Sequence, residues 1–157
     1  MIQTEVCIVG AGPAGATLAH FLNKQKIEYV LLDKAAFPRD KVCGDGITVD
    51  VLNVLKRIDP ALLEDFSRQA EMLPSWGFCF RAPNGRELRY DFSNTSLPYA
   101  PFYTSRRLHL DDFLLSRLND SHGTVHTNTK VTAIEKLAKG FRVFYENSQG
   151  QHCLRPA

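Results

Sequence analysis

The amino-acid sequence predicts an α/β fold in which a parallel sheet carries inserted antiparallel hairpins. Three observations lead to this fold class. The first 33 residues hold an apolar run, a glycine-rich turn, a helical segment and a second apolar run, which is the order of a βαβ unit. Residues 76–92 alternate large apolar and polar side chains around a turn, and residues 131–145 form two strand-like runs around a glycine.

The first elements have the order of strand, turn, helix and strand that is typical of a Rossmann-type βαβ unit. Residues Glu5–Val9 have the pattern of a buried parallel strand, and Ala14–Asn23 that of a helix. The turn between them is GAGPAG, residues 10–15, and the second strand, Tyr29–Leu32, ends in Asp33. A lone GxGxxG motif is weak evidence, but the preceding strand, the following helix and the later acid are the context that it requires.

Each residue of the turn has its own physical role. Gly10 permits the tight turn, Gly12 lets a pyrophosphate approach the backbone, and Gly15 lets the helix lie close to the strand. Pro13 suits the first helical turn, where the N–H that it lacks would have no partner. The helix N-terminus offers backbone N–H groups and a partial positive charge to a pyrophosphate. Asp33 would accept hydrogen bonds from an adenosine ribose. Because FAD and NAD both contain this ribose, the motif leaves open which of the two is the cofactor.

The middle of the chain begins with two predicted helices. Thr48 is expected to cap a helix that ends near Ile58, and Asp59-Pro60 signals the start of another. The hairpin that follows has one apolar face, formed by Trp76, Phe78, Phe80, Leu88, Tyr90 and Phe92. Such a stripe more often belongs to a core than to a substrate pocket, and both interpretations remain open.

The last third of the chain continues the parallel sheet. A helix over Asp111–Asn119 is expected to cross over to a third strand, Thr124–His126, beside the second strand. Residues Val131–Ile134 and Phe141–Tyr145 then form an antiparallel hairpin, and one more strand begins near residue 152.

Composition and charge exclude several classes of protein. The chain has 157 residues, of which 44% are hydrophobic and 23% charged, and this suits one domain with one core. Its 19 basic and 17 acidic residues leave a net charge of +2, so no general field would attract nucleic acid.

Cysteine usage and the N-terminus predict a reduced, cytoplasmic protein. Cys7, Cys43, Cys79 and Cys153 are far apart and lack the close paired spacings of zinc or redox motifs. The N-terminus lacks the basic start and the apolar length of a signal peptide, and no stretch reaches the ~20 apolar residues of a membrane helix. Contact with the surface of a membrane is left open, as is the oligomeric state.

Three segments, GAGPAGA, LLDK and FPRDKVCGDG, follow one another in an order that resembles the geranylgeranyl reductase-like family of FAD-dependent oxidoreductases, relatives of the flavin monooxygenases. In that family a Pro-x-x-Lys-x-Cys-Gly segment follows the second strand. The matching residues are Pro38, Lys41, Cys43 and Gly44. The later segment YTSRRLHLDDFLLSRL is similar to the family's arginine, short gap, aspartate and helix, with Arg107 and Asp111 at those positions.

The resemblance implies FAD as the cofactor and NAD(P)H as a candidate electron donor. It also implies that Arg39 and Arg107 lie near the dinucleotide, although either could instead be a surface charge. The cofactor-binding residues expected here are Gly10, Gly12, Pro13, Ala14, Gly15, Asp33, Lys34, Arg39, Cys43, Gly44 and Arg107.

Cys43 is the candidate catalytic residue. No other cysteine lies at a spacing suited to zinc or to a disulfide. Its basic sequence neighbours Arg39 and Lys41 would favour a reactive thiolate available to the flavin or the substrate. Cys43 would equally suit a small packed side chain beneath the flavin ring, with Gly44 and Gly46 as backbone that passes close to the ring.

The resemblance also divides the chain by role. Residues 1–75 and 105–130 are expected to form the nucleotide-binding core, residues 76–104 the start of a substrate-side sheet, and residues 131–157 a β-hairpin crossover. Family members are much longer, so the chain is expected to be an N-terminal fragment whose first strand lacks a neighbour on one side. Retention of FAD by such a fragment is expected to be weak or absent.

Three functions remain in view. The first is an FAD-dependent oxidoreductase, of reductase or monooxygenase type, that acts on a small lipid-like, isoprenoid or aromatic molecule with electrons from NAD(P)H or a reduced partner. The second is a dinucleotide-binding module without catalysis. The third, an NAD-dependent dehydrogenase domain, is disfavoured by the Pro-x-x-Lys-x-Cys-Gly loop. Asp45 interrupts the run of small residues usual in prenyl reductases of the family, which disfavours a geranylgeranyl substrate in particular.

Overall fold

The structure, a computed structural model, describes residues 2–43, 46–119 and 121–156. Its helices within those ranges are α1 (Pro13–Gln25), α2 (Val49–Ile58), α3 (Pro60–Arg68) and α4 (Arg107–Ser116). Its strands there are β1 (Ile2–Thr4), β2 (Val6–Val9), β3 (Tyr29–Leu32), β4 (Gly46–Ile47), β5 (Leu73–Ser75), β6 (Gly77–Arg81), β7 (Glu87–Asp91), β8 (Phe102–Thr104), β9 (Gly123–His126), β10 (Lys130–Lys136), β11 (Phe141–Asn147) and β12 (Gly150–Pro156).

The chain divides into two compact units. The first unit holds the residues up to Asp40 and those from Asp111 onward, and the second unit holds residues 41–110. The boundary between the units falls within helix α4. The residues of this helix up to Leu110 belong to the second unit, and those from Asp111 onward belong to the first. Helix α4 starts earlier than the predicted crossover helix, because the Arg106 carbonyl already accepts hydrogen bonds from the N–H groups of His109 and Leu110.

The first unit is built around a parallel sheet with the strand order β2-β3-β9. Ile8 lies opposite Leu31, which in turn lies opposite Val125. All four residues of β3 are buried, as a strand covered on both faces requires. The predicted strand, glycine turn, helix and strand are confirmed, and so is the third strand beside the second.

Alternate residues of β3 pack into two different layers. On one face Leu31 belongs to a cluster with Ala19 and Leu22 of α1, and Leu115 of α4 packs against that cluster. On the other face Val30 and Leu32 pack with side chains of the antiparallel strands β11 and β12. The first unit therefore has helices on one side of the parallel sheet and a second sheet on the other.

The second layer is a four-stranded sheet with the order β1-β12-β11-β10. The hairpin of β10 and β11 is confirmed, and β12 pairs with β11 and runs parallel to β1. The predicted first strand is β2 of the parallel sheet, and a further strand that the sequence did not predict, β1, precedes it and joins this second sheet. Among the described residues β2 has no neighbour on its outer side, as predicted, and Val9 is 53% exposed.

The second unit contains α2, α3, an antiparallel sheet of order β4-β8-β5, and the hairpin of β6 and β7. Helix α2 begins where the sequence predicts, but the Thr48 side chain makes no capping hydrogen bond. The predicted start of α3 is confirmed, because the Asp59 carboxylate accepts a hydrogen bond of 2.8 Å from the Ala61 N–H.

The β6–β7 hairpin has the predicted pairing but not the expected burial. Phe78 lies opposite Tyr90, and Phe80 lies opposite Leu88. Phe80 is 64% exposed, and Leu88 and Tyr90 are among the exposed large apolar residues. The interpretation of this stripe as core is therefore wrong for Phe80, Leu88 and Tyr90, because a two-stranded ribbon cannot bury an apolar face by itself. Phe78 and Phe92 are half-buried, and their rings contact Phe102 of β8.

Helices of the described ranges are all too short or too polar to cross a bilayer.

Candidate functional site

The candidate site lies at the carboxyl edge of the parallel sheet in the first unit. Three loops leave the sheet there, after Val9, Leu32 and His126. In open α/β sheets this edge is where ligands bind. The structure brings the glycine turn, Asp33 and the loop after β9 together at this place.

The glycine turn is held by the sheet and is tightly packed. Gly10 has φ +101° and donates a hydrogen bond of 2.8 Å from its N–H to the carbonyl oxygen of Leu32. A β-carbon added at Gly15 would lie 1.9 Å from the carbonyl oxygen of Gly10. The conformation at Gly10 favours glycine, and only glycine fits at Gly15, as the sequence predicts.

The start of α1 is open to an anion. Gly12 occupies the N-cap position with an extended backbone and supplies no side-chain cap, and Pro13 is the first helical residue. The first turn carries no acidic residue, and the Ala14 side chain in it is exposed. The first N–H groups of a helix lack partners within the helix and carry a partial positive charge, so this end suits a phosphate.

The carboxylate of Asp33 is fixed by two backbone hydrogen bonds. Its Oδ2 accepts a hydrogen bond of 2.7 Å from the Ala11 N–H, and its Oδ1 accepts one of 2.8 Å from the Ala35 N–H. The residue is only 7% exposed. A carboxylate has about four lone-pair positions, so two remain for further donors such as ribose hydroxyls. The ribose contact stays a prediction, and the link to Ala11 is a role that the sequence did not reveal.

The loop after β9 supplies residues that the sequence analysis missed. The Thr129 N–H donates to the carbonyl oxygen of Asp33 at 2.8 Å, and the Asn128 N–H donates to that of Ala35 at 3.1 Å. Asn128 has φ +51°, a conformation that asparagine adopts more readily than most residues. The His126 Nε2 atom is buried without a hydrogen-bond partner among the described residues. A polar run directly after the predicted third strand was the signal that could have indicated this loop.

Arg39 lies in the segment that follows β3, and its guanidinium is paired with a carboxylate. Its Nη2 atom lies 3.1 Å from Oδ2 of Asp111, whose side chain is fully buried. The Cζ atom of Arg39 lies 5.1 Å from the centroid of the Phe37 ring. The alternative interpretation of Arg39 was a plain surface charge. This interpretation does not fit, because the side chain is only 19% exposed and is paired with a buried carboxylate.

The remaining predicted residues are spread over both units. Lys34 follows Asp33 in the first unit and is exposed. Cys43 lies in the second unit with an exposed side chain. Arg107 is the first residue of α4, also in the second unit, and is half-buried. Gly44 lies outside the described residues.

Comparisons with known proteins identify relatives of this chain. The sequence model of the family described as FAD binding domain matches residues 3–155. The menaquinone reductase of Mycolicibacterium smegmatis is 31% identical over 138 residues, which are 88% of this chain and 32% of that protein. The chain therefore spans about a third of the length of the curated relatives that it matches first.

Solved structures share the fold. A myxobacterial chondrochloren halogenase superposes with a TM-score of 0.82 at 23% identity, over 99% of this chain and 36% of the halogenase. A geranylgeranyl bacteriochlorophyll reductase-like protein from Thermoplasma acidophilum superposes with a TM-score of 0.79 at 17% identity, over 99% of this chain and 38% of that protein.

Proposed function

This chain belongs to the FAD binding domain family, as the resemblance to FAD-dependent oxidoreductases predicted, and from that premise we propose that it binds FAD by its adenosine diphosphate half. The binding place is the carboxyl edge of the β2-β3-β9 sheet. The residues proposed to bind the cofactor are Gly10, Gly12, Pro13, Ala14, Gly15, Asp33, Lys34, Arg39, Cys43, Gly44 and Arg107.

The observation that carries the proposal is the hydrogen bond between the Ala11 N–H and the Asp33 carboxylate at 2.7 Å. It holds the glycine turn against the end of β3, so the open start of α1 and a carboxylate with spare lone pairs lie side by side. The first suits a pyrophosphate and the second suits the hydroxyls of a ribose. The residues present therefore fit the adenosine diphosphate part of a dinucleotide.

We place this chain in an oxidoreductase. Bound FAD would supply the electron-transfer chemistry, while the protein supplies binding, orientation and polarity. NAD(P)H is the proposed electron donor, and the proposed substrate is a small isoprenoid or aromatic molecule. The support is that two relatives are named as reductases, of menaquinone and of a geranylgeranyl bacteriochlorophyll type, and one is named as a halogenase.

Two narrower parts of the proposal rest on the sequence. Cys43 is assigned as a thiol beside the flavin, with a packing role as the alternative. The division of residues by role, the cytoplasmic location and the absence of nucleic-acid partners stay predictions.

The test is a titration of this chain with FAD, followed by the quenching of flavin fluorescence. We expect weak but saturable binding, too weak for FAD to be retained through purification, and we expect ADP to displace it, because ADP carries the groups that the glycine turn, α1 and Asp33 would hold. FMN, which lacks the adenosine, is the matched control and should not displace FAD. Absence of saturable binding, or displacement by FMN and not by ADP, would contradict the proposal.

The alternatives predict other outcomes. An NAD-dependent dehydrogenase domain would bind NAD more tightly than FAD in the same titration. A module without catalysis would bind FAD, but neither NADH nor NADPH would bleach the visible absorbance of the bound flavin under anaerobic conditions. Bleaching by one of the two donors is the outcome that supports an oxidoreductase.

A further inference from the structure

The ion pair of Arg39 and Asp111 joins the segment after β3 to helix α4. Asp111 lies in α4 with a side chain that is 0% exposed, and its Oδ2 atom lies 3.1 Å from Nη2 of Arg39. Removing two charges from water is costly, and apolar residues of similar size in the same place are often equally stabilising or better. Such a pair is therefore weak evidence for a stabilising role and points to another use.

The guanidinium of Arg39 has donors to spare. It carries five N–H groups, and the contact with Asp111 employs its Nη2 atom. Its Nη1 atom is buried and has no acceptor among the residues that the structure describes. An unsatisfied buried donor on a charged group is unfavourable, and each such case in a folded protein calls for an acceptor that is yet to be identified.

The packing of Phe37 locates this guanidinium beside the candidate site. The Phe37 ring lies beneath the Arg39 guanidinium, at 5.1 Å from Cζ to the ring centroid. The same ring packs against the apolar cluster that includes Ala11 of the glycine turn and Ala19 of α1. Arg39 is thereby tied to the residues that surround the start of α1.

Topology places Asp111 at the same edge of the sheet. Helix α4 leads into β9, which runs parallel to β3. A crossover helix between parallel strands runs back from their carboxyl edge to their amino edge, so the first turns of α4 lie at the carboxyl edge. Asp111 lies in those turns, at the edge where the glycine turn and Asp33 also lie.

We propose that Asp111 is a positioning residue, which holds the Arg39 guanidinium so that its remaining N–H groups are directed to an anionic oxygen of the dinucleotide pyrophosphate. This inference rests on the proposed function. Asp111 would contribute orientation and not charge, because its carboxylate lowers the net charge of the pair while it fixes the planar donor fork of the arginine. The anionic oxygen is the acceptor that Nη1 lacks.

The experiment compares ADP with adenosine as ligands of this chain, its Asp111→Asn and Arg39→Gln variants and the double variant. Adenosine lacks the pyrophosphate and is the matched control ligand. We expect each single variant to raise the Kd for ADP about tenfold and to leave that for adenosine within about twofold, a tenfold change being worth about 1.4 kcal/mol. The double variant should bind ADP no more weakly than Arg39→Gln alone, because Asp111 acts through Arg39.

Three results would overturn the inference. One is an Asp111→Asn variant that unfolds at lower temperature but binds ADP like the parent chain, since this is what a merely structural role predicts. Another is an additive loss of ADP affinity in the double variant. A third is an equal loss with Asp112→Asn, the control variant at the next position of α4. If the parent chain bound neither ADP nor FAD, the proposed function would fail together with this inference, whereas the first three results would leave the proposed function standing.

A second variant keeps the test decisive should Asp111→Asn fail to fold. Asp111→Glu retains the negative charge but moves the carboxylate by one methylene group, and so misdirects the guanidinium without leaving it unpaired. We expect weaker binding of ADP with unchanged binding of adenosine, and ADP binding equal to that of the parent chain would count against the positioning role.

Discussion

Asp33 shows how one side chain can connect the fold to the proposed site. Its two carboxylate oxygens accept hydrogen bonds from the N–H groups of Ala11, in the glycine turn, and Ala35, in the loop that follows β3. The Asp33 N–H also donates a hydrogen bond to the carbonyl of His126, and the Asp33 carbonyl accepts one from the N–H of Thr129. The residue therefore joins all three loops at the carboxyl edge of the parallel sheet.

Replacing Asp33 with Asn should lower the free energy of unfolding by about 1–3 kcal/mol. The amide keeps one acceptor oxygen but presents an NH2 group to one of the two backbone N–H donors, which is then left unsatisfied in a buried place. Chemical denaturation of the parent and the variant measures the change.

The matched control for that change is Asp59→Asn. The Asp59 carboxylate also accepts a backbone hydrogen bond, from Ala61, but it is exposed and occupies a helix N-cap, where asparagine serves as well as aspartate. Its substitution should leave stability within about 0.5 kcal/mol. Equal changes in the free energy of unfolding for the two substitutions would mean that the buried Asp33 hydrogen bonds stabilise the fold no more than the exposed Asp59 cap does.

At the scale of elements, the β6–β7 hairpin and the α2–α3 pair differ in what covers them. The rings of Phe78 and Tyr90 lie opposite each other with centroids 5.0 Å apart, yet Phe80 beside them is largely exposed. Phe66 of α3 is fully buried and meets the ring of Tyr103 edge to face at 5.1 Å. The same residue type thus has two different environments within the second unit.

Replacing Phe66 with Ala should lower the free energy of unfolding by about 3–5 kcal/mol, because it removes a buried ring and leaves a cavity. The matched substitution Phe80→Ala should change stability by no more than about 0.5 kcal/mol, because that ring is already in contact with water. Thermal or chemical unfolding of the parent chain and the two variants measures these changes in the free energy of unfolding. A loss of several kcal/mol with Phe80→Ala would show that the hairpin face is covered in solution.

At the scale of the whole molecule, an open edge and a buried histidine set properties of the entire chain. Among the described residues, β2 lacks a neighbour on one edge, and residues of β2 and of the antiparallel sheet line a cleft of about 320 Å³, Val9, Phe141 and Leu154 among them. An exposed apolar strand edge favours self-association. Elsewhere in the same unit, Nε2 of His20 in α1 lies 2.9 Å from the carbonyl oxygen of Leu114 in α4, and this contact joins the two helices.

The stability of the chain should fall as the pH is lowered from 7 to 5. Burial lowers the pKa of His20 below its ordinary value, although its hydrogen bond to the Leu114 carbonyl partly opposes this. The folded chain thus keeps the imidazole neutral while the unfolded chain takes up a proton near pH 6.5. The stabilising contribution is complete above that pH and is lost as the pH falls, by at most about 1.4 kcal/mol per pH unit for one proton.

Chemical denaturation at several pH values measures this contribution as a difference between proteins. His20→Gln retains an N–H that can reach the Leu114 carbonyl but cannot titrate, so its stability should fall less than that of the parent chain. A His20→Gln profile that runs parallel to the parent profile between pH 7 and pH 5 would refute the assignment.

The sequence by itself determined the βαβ unit, the need for glycine at positions 10 and 15, the acid at the end of β3 and the resemblance to FAD-dependent oxidoreductases. These features are encoded locally, because apolar periodicity, turn residues and a helix start depend on neighbours in the chain. Only the tertiary structure decided that Asp33 holds the glycine turn, that Arg39 pairs with Asp111, and that Phe80 and Tyr90 of the hairpin are exposed. Each of these depends on which distant segments meet, and a contact across tens of residues leaves no periodic signal in the sequence.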